Sequence, residues 1–315
     1  MRQLGLRLLQ LVPILFIVSV FTFLLVDLQP GDPAIAILGE NAQPETIAAI
    51  RKELRLDQPL VTRYFDWAGD AIRGDLGKSI RSHEPVAKAY KERIPVTFEL
   101  AALALIPALL LAVPLGAWSA YRAGRLFDRG VSTASFAAVG LPHFVLGPVL
   151  IFIFALRFRW FPPSTWVRFS EDIPGNLKHA FLPALTLSLG LIANFSQLLR
   201  ADMIGTMQQD FVLAAKARGL PTRHILLREA LRPSSFSLIT LAGVNLGILV
   251  GGSVIVERLF GIGGVGQAIT QAIPQKDFPM LQGGVLILAV AYLLINTLID
   301  ILYGVIDPRV RRGRA

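Results

Sequence analysis

DFVLAAKARGLPTRHILLREALRP, residues 210–233, is a basic and only moderately apolar stretch set between two long hydrophobic runs. Phe211 to Arg218 consists of helix-compatible residues, Gly219 suits the left-handed conformation that ends a helix, and Pro221 suits the first turn of the next. The spacing therefore predicts two short helices joined by a turn. Lys216, Arg218, Arg223, Arg228 and Arg232 place the element on the cytoplasmic side of any membrane it flanks. Ala214, Ala215 and Ala217 leave a low surface that a partner could approach closely. It reads as a docking element rather than a reaction centre.

Outward from this stretch, the neighbouring runs Phe181 to Leu199 and Leu238 to Val256 approach the roughly 20 apolar residues that cross a bilayer. Leu8 to Leu28, Glu99 to Ala120, Val131 to Leu156 and Leu281 to Tyr303 are similar. With 53% hydrophobic residues and a mean hydropathy of +0.57, a soluble globule is excluded. The run at Leu8 exceeds the usual 7–15 apolar residues of a secretory signal, and Val26-Asp27-Leu28-Gln29-Pro30 has no small-x-small cleavage site, so it reads as a span. Gln29-Pro30-Gly31-Asp32-Pro33 stops it. Six spans put both termini on one side. Segments 1–7, 121–130, 200–237 and 307–315 hold 15 Lys/Arg against 5 acids, which makes that side the cytoplasm; the opposite segments hold 16 against 14. Arg157, Arg159, Arg168 and Lys178 fit this least well, although Trp160 and Trp166 fit an interfacial belt. The high pI of 10.2 thus reports orientation rather than nucleic-acid binding, and the absence of cysteine excludes disulfides and thiolate metal sites.

Residues 29–95 form one long polar region with 10 basic and 10 acidic residues. Apolar spacing predicts two helices there, Pro44 to Leu56 and Pro59 to Ile72. Gly77-Lys78-Ser79 ends like a phosphate-binding loop, but the required earlier glycine is Ile72 and no strand precedes it. Gly261-Ile262-Gly263-Gly264-Val265-Gly266 matches the dinucleotide fingerprint formally; a membrane span precedes it, so a tight turn is the physical reading. The four histidines lack metal-ligand spacing, and His143 reads as a packing residue. Pro107, Pro114, Pro142 and Pro148 are candidate kinks. Asn194, Gln197, Asn245, Asn296 and Asp300 must face protein or water, and the first four are candidates for a translocation path.

At residues 210–220 the chain resembles the permease subunits of bacterial ABC importers. Ala214-Ala215, three residues, then Gly219 matches their Ala-Ala-x-x-x-Gly loop. Asp210-Phe211-Val212 and Lys216 to Leu220 are similar to the dipeptide, oligopeptide and nickel branch. Leu213 stands where the motif often has Glu, and Glu229-Ala230-Leu231-Arg232 and Arg232-Pro233-Ser234 depart from the later pattern. Pro30-Gly31-Asp32-Pro33, Gly74 to Gly77, Val254-x-Glu257-x-x-Phe260 with its Gly-rich turn, and Lys276-Asp277-Phe278-Pro279 resemble the same branch.

The resemblance implies an all-α integral membrane protein of the type I ABC importer permease fold. That fold has six transmembrane helices, a cytoplasmic coupling helix pair and a long extracytoplasmic segment after the first helix. The implied divisions are 1–28 (tail and first helix), 29–95 (outer helical segment), 96–306 (five-helix permease domain containing the loop 200–237) and 307–315 (basic tail). Asp210, Phe211, Ala214, Ala215, Lys216, Ala217, Arg218, Gly219 and Leu220 would dock the ATPase. Glu257, Phe260, Gly261, Gly264 and Asp277 would form an outer gate or receptor-docking surface. The implied partners are a second, homologous permease, two ATPase subunits, an extracytoplasmic substrate-binding protein and the lipid bilayer, with no nucleic acid. ATP and Mg would be used by the partner subunits and no cofactor bound by this chain, a non-catalytic subunit of the bacterial inner membrane with both termini cytoplasmic. Dipeptides or oligopeptides are the implied cargo, with nickel and glutathione as alternatives. An ion-gradient-driven secondary transporter is the rival class; it would call for inverted repeats or central buried acids. A membrane-embedded enzyme lacks any ligand or nucleophile set.

Overall fold

The computed structural model describes residues 2–27, 34–35, 43–53 and 55–306, and the expected stop at 29–33, the tail 307–315 and the side chain of Asp300 lie outside the described residues. Among these residues there is no strand, only an isolated bridge from Lys78 to Pro85. The helices are α1 (Arg2–Asp27), α2 (Pro44–Glu53), α3 (Leu60–Ile72), α4 (Val86–Tyr121), α5 (Leu126–Gly140), α6 (His143–Leu150, prolonged by a π-helix Ile151–Arg157) and α7 (Ile173–Thr206). They continue with α8 (Asp210–Ala217), α9 (Thr222–Gly252, π-helical over Ile225–Ala230), α10 (Val254–Phe260), α11 (Val265–Gln275) and α12 (Phe278–Ile306). Helices α4, α7, α9 and α12 are long and apolar enough to cross a membrane, and α5 with α6 makes a fifth if counted as one bent span. Helix α1 carries the shorter apolar segment Leu11–Leu24.

Several expectations are corrected. The run Val131 to Leu156 is not one rod: α5 and α6 meet at 104°, because Leu141 and Pro142 are extended (ψ 111° and 144°) and Pro142 caps the second helix. The second short helix of residues 210–233 is the start of α9, which runs through Pro233 to Gly252. Pro221 precedes that helix as its N-cap. Helix α4 begins at Val86, inside the stretch assigned to the polar outer region, and stays continuous through Pro107 and Pro114. Residues 261–278 contain a whole helix, α11, beyond the expected turn at Gly261.

The chain divides into two compact units, Met1–Thr97 with Gly263–Thr297, and Phe98–Ile262 with Leu298–Ala315. In the first, Val86, Tyr90, Val265, Ala268 and Ile269 form a buried core, and the Tyr90 hydroxyl donates to the Met280 carbonyl at 2.7 Å. Gly284 lets α12 approach this core: a Cβ there would lie 2.3 Å from Tyr90 Oη. The Gly77-Lys78-Ser79 turn is explained by its contacts. Gly77 takes φ +80°, Ser79 donates its hydroxyl to buried Asp277, and the Ile80 N–H reaches the other carboxylate oxygen at 3.2 Å. Met280 N–H completes the set at 3.4 Å, so Asp277 also caps α12. Helix α3 packs on α1 through Phe16, Phe23, Tyr64 and Trp67, with the Arg63 guanidinium over the Phe23 ring.

In the second unit α7 is the most buried of the span helices, packed on α5, α6 and α9. Its neighbour α4 presents Ala101, Ala104, Ala108, Ala112, Gly116 and Ala120, a stripe recurring every three or four residues and buried throughout. At Gly116 the backbones approach so closely that a Cβ would lie 2.7 Å from the Ser196 carbonyl oxygen. In lipid, where apolar burial drives little between helices, such small residues permit the van der Waals contact that holds them. Buried Asp128, in the first turn of α5, pairs with Arg200 of α7 through both carboxylate oxygens and accepts the Gly124 N–H at 2.8 Å.

Two variants test these supports. Gly284→Ala should destabilise the protein by about 1–3 kcal/mol, the usual cost of overpacking. Its melting temperature in detergent should fall, while Gly263→Ala, where a Cβ meets nothing within 4 Å, leaves it unchanged. Arg200→Met strands a buried carboxylate and should cost about 3–5 kcal/mol, with Asp128→Asn added in the same chain restoring part of the loss. Thermal melts of the three chains measure this.

Candidate functional site

The basic element is α8, a turn, and the first turns of α9. Helix α8 ends in a double hydrogen bond: Leu220 N–H donates to the Ala215 carbonyl at 3.3 Å, and Gly219 N–H to that of Lys216 at 2.9 Å. This is the Schellman closure, and it requires a left-handed residue, which Gly219 is at φ +75°. Space is not what demands glycine, since a Cβ at 219 would meet nothing within 4 Å. Leu220 then folds back on Val212, Ala215 and Ile225, giving the element its own small core. Below it, Thr206 donates to Ser234 at 2.9 Å while Ser234 donates to the Ala230 carbonyl, which clamps the end of α7 to α9.

Of the residues expected to dock, Asp210, Phe211, Ala214, Lys216, Ala217, Arg218 and Gly219 are exposed and Leu220 is half-buried. Ala215 is fully buried, so the low surface comes from Ala214 and Ala217 without it. Phe211 and Leu213 remain about half exposed, at 44% and 51%. Asp210 at the helix start suits the positive end of its dipole.

The path candidates separate. Asn194 and Asn245 line one cavity of about 320 Å³ at the α5–α6 break, together with His143, Pro142, Leu187, Leu191 and Ile248. Gln197 instead points its amide toward Ser132 and Ser135, at 3.4 and 3.3 Å. Asn296, half-buried on α12, belongs to the first unit. The gate candidates separate too. In the second unit Glu257 is fully buried, accepting the Ser253 hydroxyl at 2.9 Å, Phe260 is buried, and Gly261 ends α10 at φ +64°. In the first, Gly264 precedes α11 and Asp277 is the buried cap already described. Sequence reasoning missed the alanine–glycine stripe on α4, the Leu220 cap and the part played by His143. The first was readable as small residues at helical spacing, and the last as a polar residue directly after Leu141-Pro142 in an apolar run.

Several long apolar helices define a multi-pass membrane protein. Residues 112–312 match the family described as the binding-protein-dependent transport system inner membrane component, and residues 1–101 match the N-terminal component of such systems. The chain belongs to this family. It is similar, at 38% identity over 97% of both chains, to a putative peptide transport system permease protein of Brucella abortus. It is 33% identical, over 97% of both, to a probable peptide ABC transporter permease protein of Sinorhizobium fredii. At 32%, again over 97% of both, it is similar to a glutathione transport system permease protein of Escherichia coli K12. The chain is thus a permease subunit of a bacterial ABC importer, a membrane component that works with a substrate-binding protein and an ATPase.

The turn at Gly219 yields a graded test. Gly219→Asn, which tolerates the left-handed region, should keep most uptake, whereas Gly219→Val should abolish it while the protein stays in the membrane. Transport assays on membranes with matched protein levels distinguish them; near-normal uptake by the valine variant rejects the turn's role.

Proposed function

We propose that this permease carries short peptides, as one of two homologous permease subunits paired with two ATPases and an extracytoplasmic binding protein. The observation that carries the reading is α8 itself, a rigid eight-residue helix presenting Phe211, Ala214 and Arg218 outward on a turn that the backbone locks. In this reading Asp210 to Leu220 sit in a groove of the ATPase, and closure of the ATPases on ATP and Mg moves α8 as a lever. The clamp at Thr206 and Ser234 passes that movement to α7 and α9, switching the path between inward and outward access. The path runs beside Asn194 and Asn245.

The remaining topology follows the same proposal. Helix α1 is the first of six spans, both termini are cytoplasmic, and 29–95 lies outside. The segment around Gly261 to Asp277 contributes to the outer gate through the backbone turns and helix α11 rather than through the buried Glu257 and Phe260 side chains. Peptides are supported by the names of the Brucella and Sinorhizobium relatives; glutathione, itself a short peptide, is the second cargo, supported by the Escherichia coli relative.

Affinity purification of the tagged chain from native membranes tests the docking face. The wild type should bring down ATPase subunits and a second permease. Ala214→Glu, at an exposed position, should lose the ATPases while keeping the second permease. Ala215→Glu would break the element's core instead and is not a docking test. Equal ATPase recovery with Ala214→Glu would move the docking site elsewhere.

A further inference from the structure

Three side chains in the cavity at the α5–α6 break are polar, and the bonds they already make decide what else they can take. His143 Nδ1 lies 3.2 Å from the Thr186 carbonyl oxygen. A carbonyl only accepts, so Nδ1 carries the hydrogen and the neutral ring is left with Nε2 as an acceptor. Asn245 spends its NH₂ on the Leu241 carbonyl at 2.8 Å, which turns its carboxamide oxygen to other donors. Asn194 is exposed and offers a further amide. The rest of the lining is Ala138, Val139, Leu141, Gly252 and their aliphatic neighbours, with no Lys, Arg, Asp or Glu.

This set has a definite chemical complement. It has no cation to hold a carboxylate and no carboxylate to hold an ammonium group or a divalent metal. Among the described residues no cluster of three or more His, Cys, Asp or Glu exists that could bind a metal ion. Its acceptors call for hydrogen-bond donors, and an acceptor desolvated without one is costly. A lipid tail brings none. A peptide backbone brings one at almost every residue, whatever its side chains, and the aliphatic walls suit those side chains without selecting among them.

Resting on the peptide reading above, we infer that this cavity recognises the backbone N–H groups of the transported peptide, with His143 Nε2 and the Asn245 carboxamide oxygen as acceptors and Asn194 beside them. Recognition by backbone makes the permease tolerant of sequence. The opening is made by the Leu141–Pro142 break, which separates the two helix ends that a straight span would have closed.

The test uses the complete complex in proteoliposomes, with binding protein saturated in turn by a tripeptide and by its analogue N-methylated at both peptide bonds. Saturation removes the binding protein's own preference from the comparison. The wild type should import the N-methylated analogue about a hundredfold more slowly, about tenfold for each of the two lost hydrogen bonds. Asn245→Leu and His143→Phe should each slow the unmodified peptide about tenfold and cut the preference to about tenfold. Asn245→Gln keeps a neutral carboxamide acceptor and should keep most of the preference; co-purified ATPases show that each variant is assembled. Equal import of the two peptides by the wild type, or an unchanged preference in both Asn245→Leu and His143→Phe, overturns the inference. Failure of the wild type to import any peptide removes the peptide reading itself, a separate result that takes this inference with it.

Discussion

In the hydrocarbon interior of a bilayer no water is available to the backbone, so every N–H and C=O must find its partner within the protein. Helices α4, α7, α9 and α12 meet this as unbroken helices of 22 or more described residues each, losing a donor only at internal prolines. Where the helical ladder is interrupted, the bonds are still made. At the α5–α6 break Leu141 N–H turns back to Ala138, and Val145 and Leu146 both donate to the Pro142 carbonyl. At the end of α8 the Schellman closure absorbs two carbonyls in the same way. Both interruptions coincide with the places where a candidate site is built.

Packing within the units follows from the same setting. Since lipid is as apolar as a leucine side chain, contact between helices is won by closeness, and the alanine and glycine stripe of α4 is the means. Polar pairs then fix register where stripes alone would slide: Asp128 with Arg200 in the second unit, and Asp277 with Ser79 and Ile80 in the first. Each involves a carboxylate with its oxygens occupied, which is how a buried charge is made tolerable.

Much of this architecture is legible in the amino-acid sequence. Apolar runs of bilayer length mark α4, α7, α9 and α12, and Gly219 announces its own left-handed turn because no other residue adopts that backbone as freely. Proline is less informative. Pro107 and Pro114 sit within a continuous helix, whereas Pro142 starts one after the extended Leu141, and proline alone does not tell these cases apart. Ala214 and Ala215 are identical letters with opposite fates, one exposed and one fully buried, because α8 packs on Ile225 and Leu220 across the turn. Glu257 misleads for the opposite reason: a charged residue beside glycines suggests a surface, whereas its burial is a tertiary fact that its local bond to Ser253 does not announce.

The π-helical stretch Ile225–Ala230 lies between the docking turn and the membrane-crossing part of α9. Relative to an α-helix a π-turn takes in one extra residue, and one residue is worth about 100° of rotation about the axis. The stretch therefore acts as a phase adjuster. It sets which side of α9 faces inward over Leu238 to Gly252 independently of which side meets Val212 and Ala215, so the two surfaces could evolve under separate demands on a single unbroken rod.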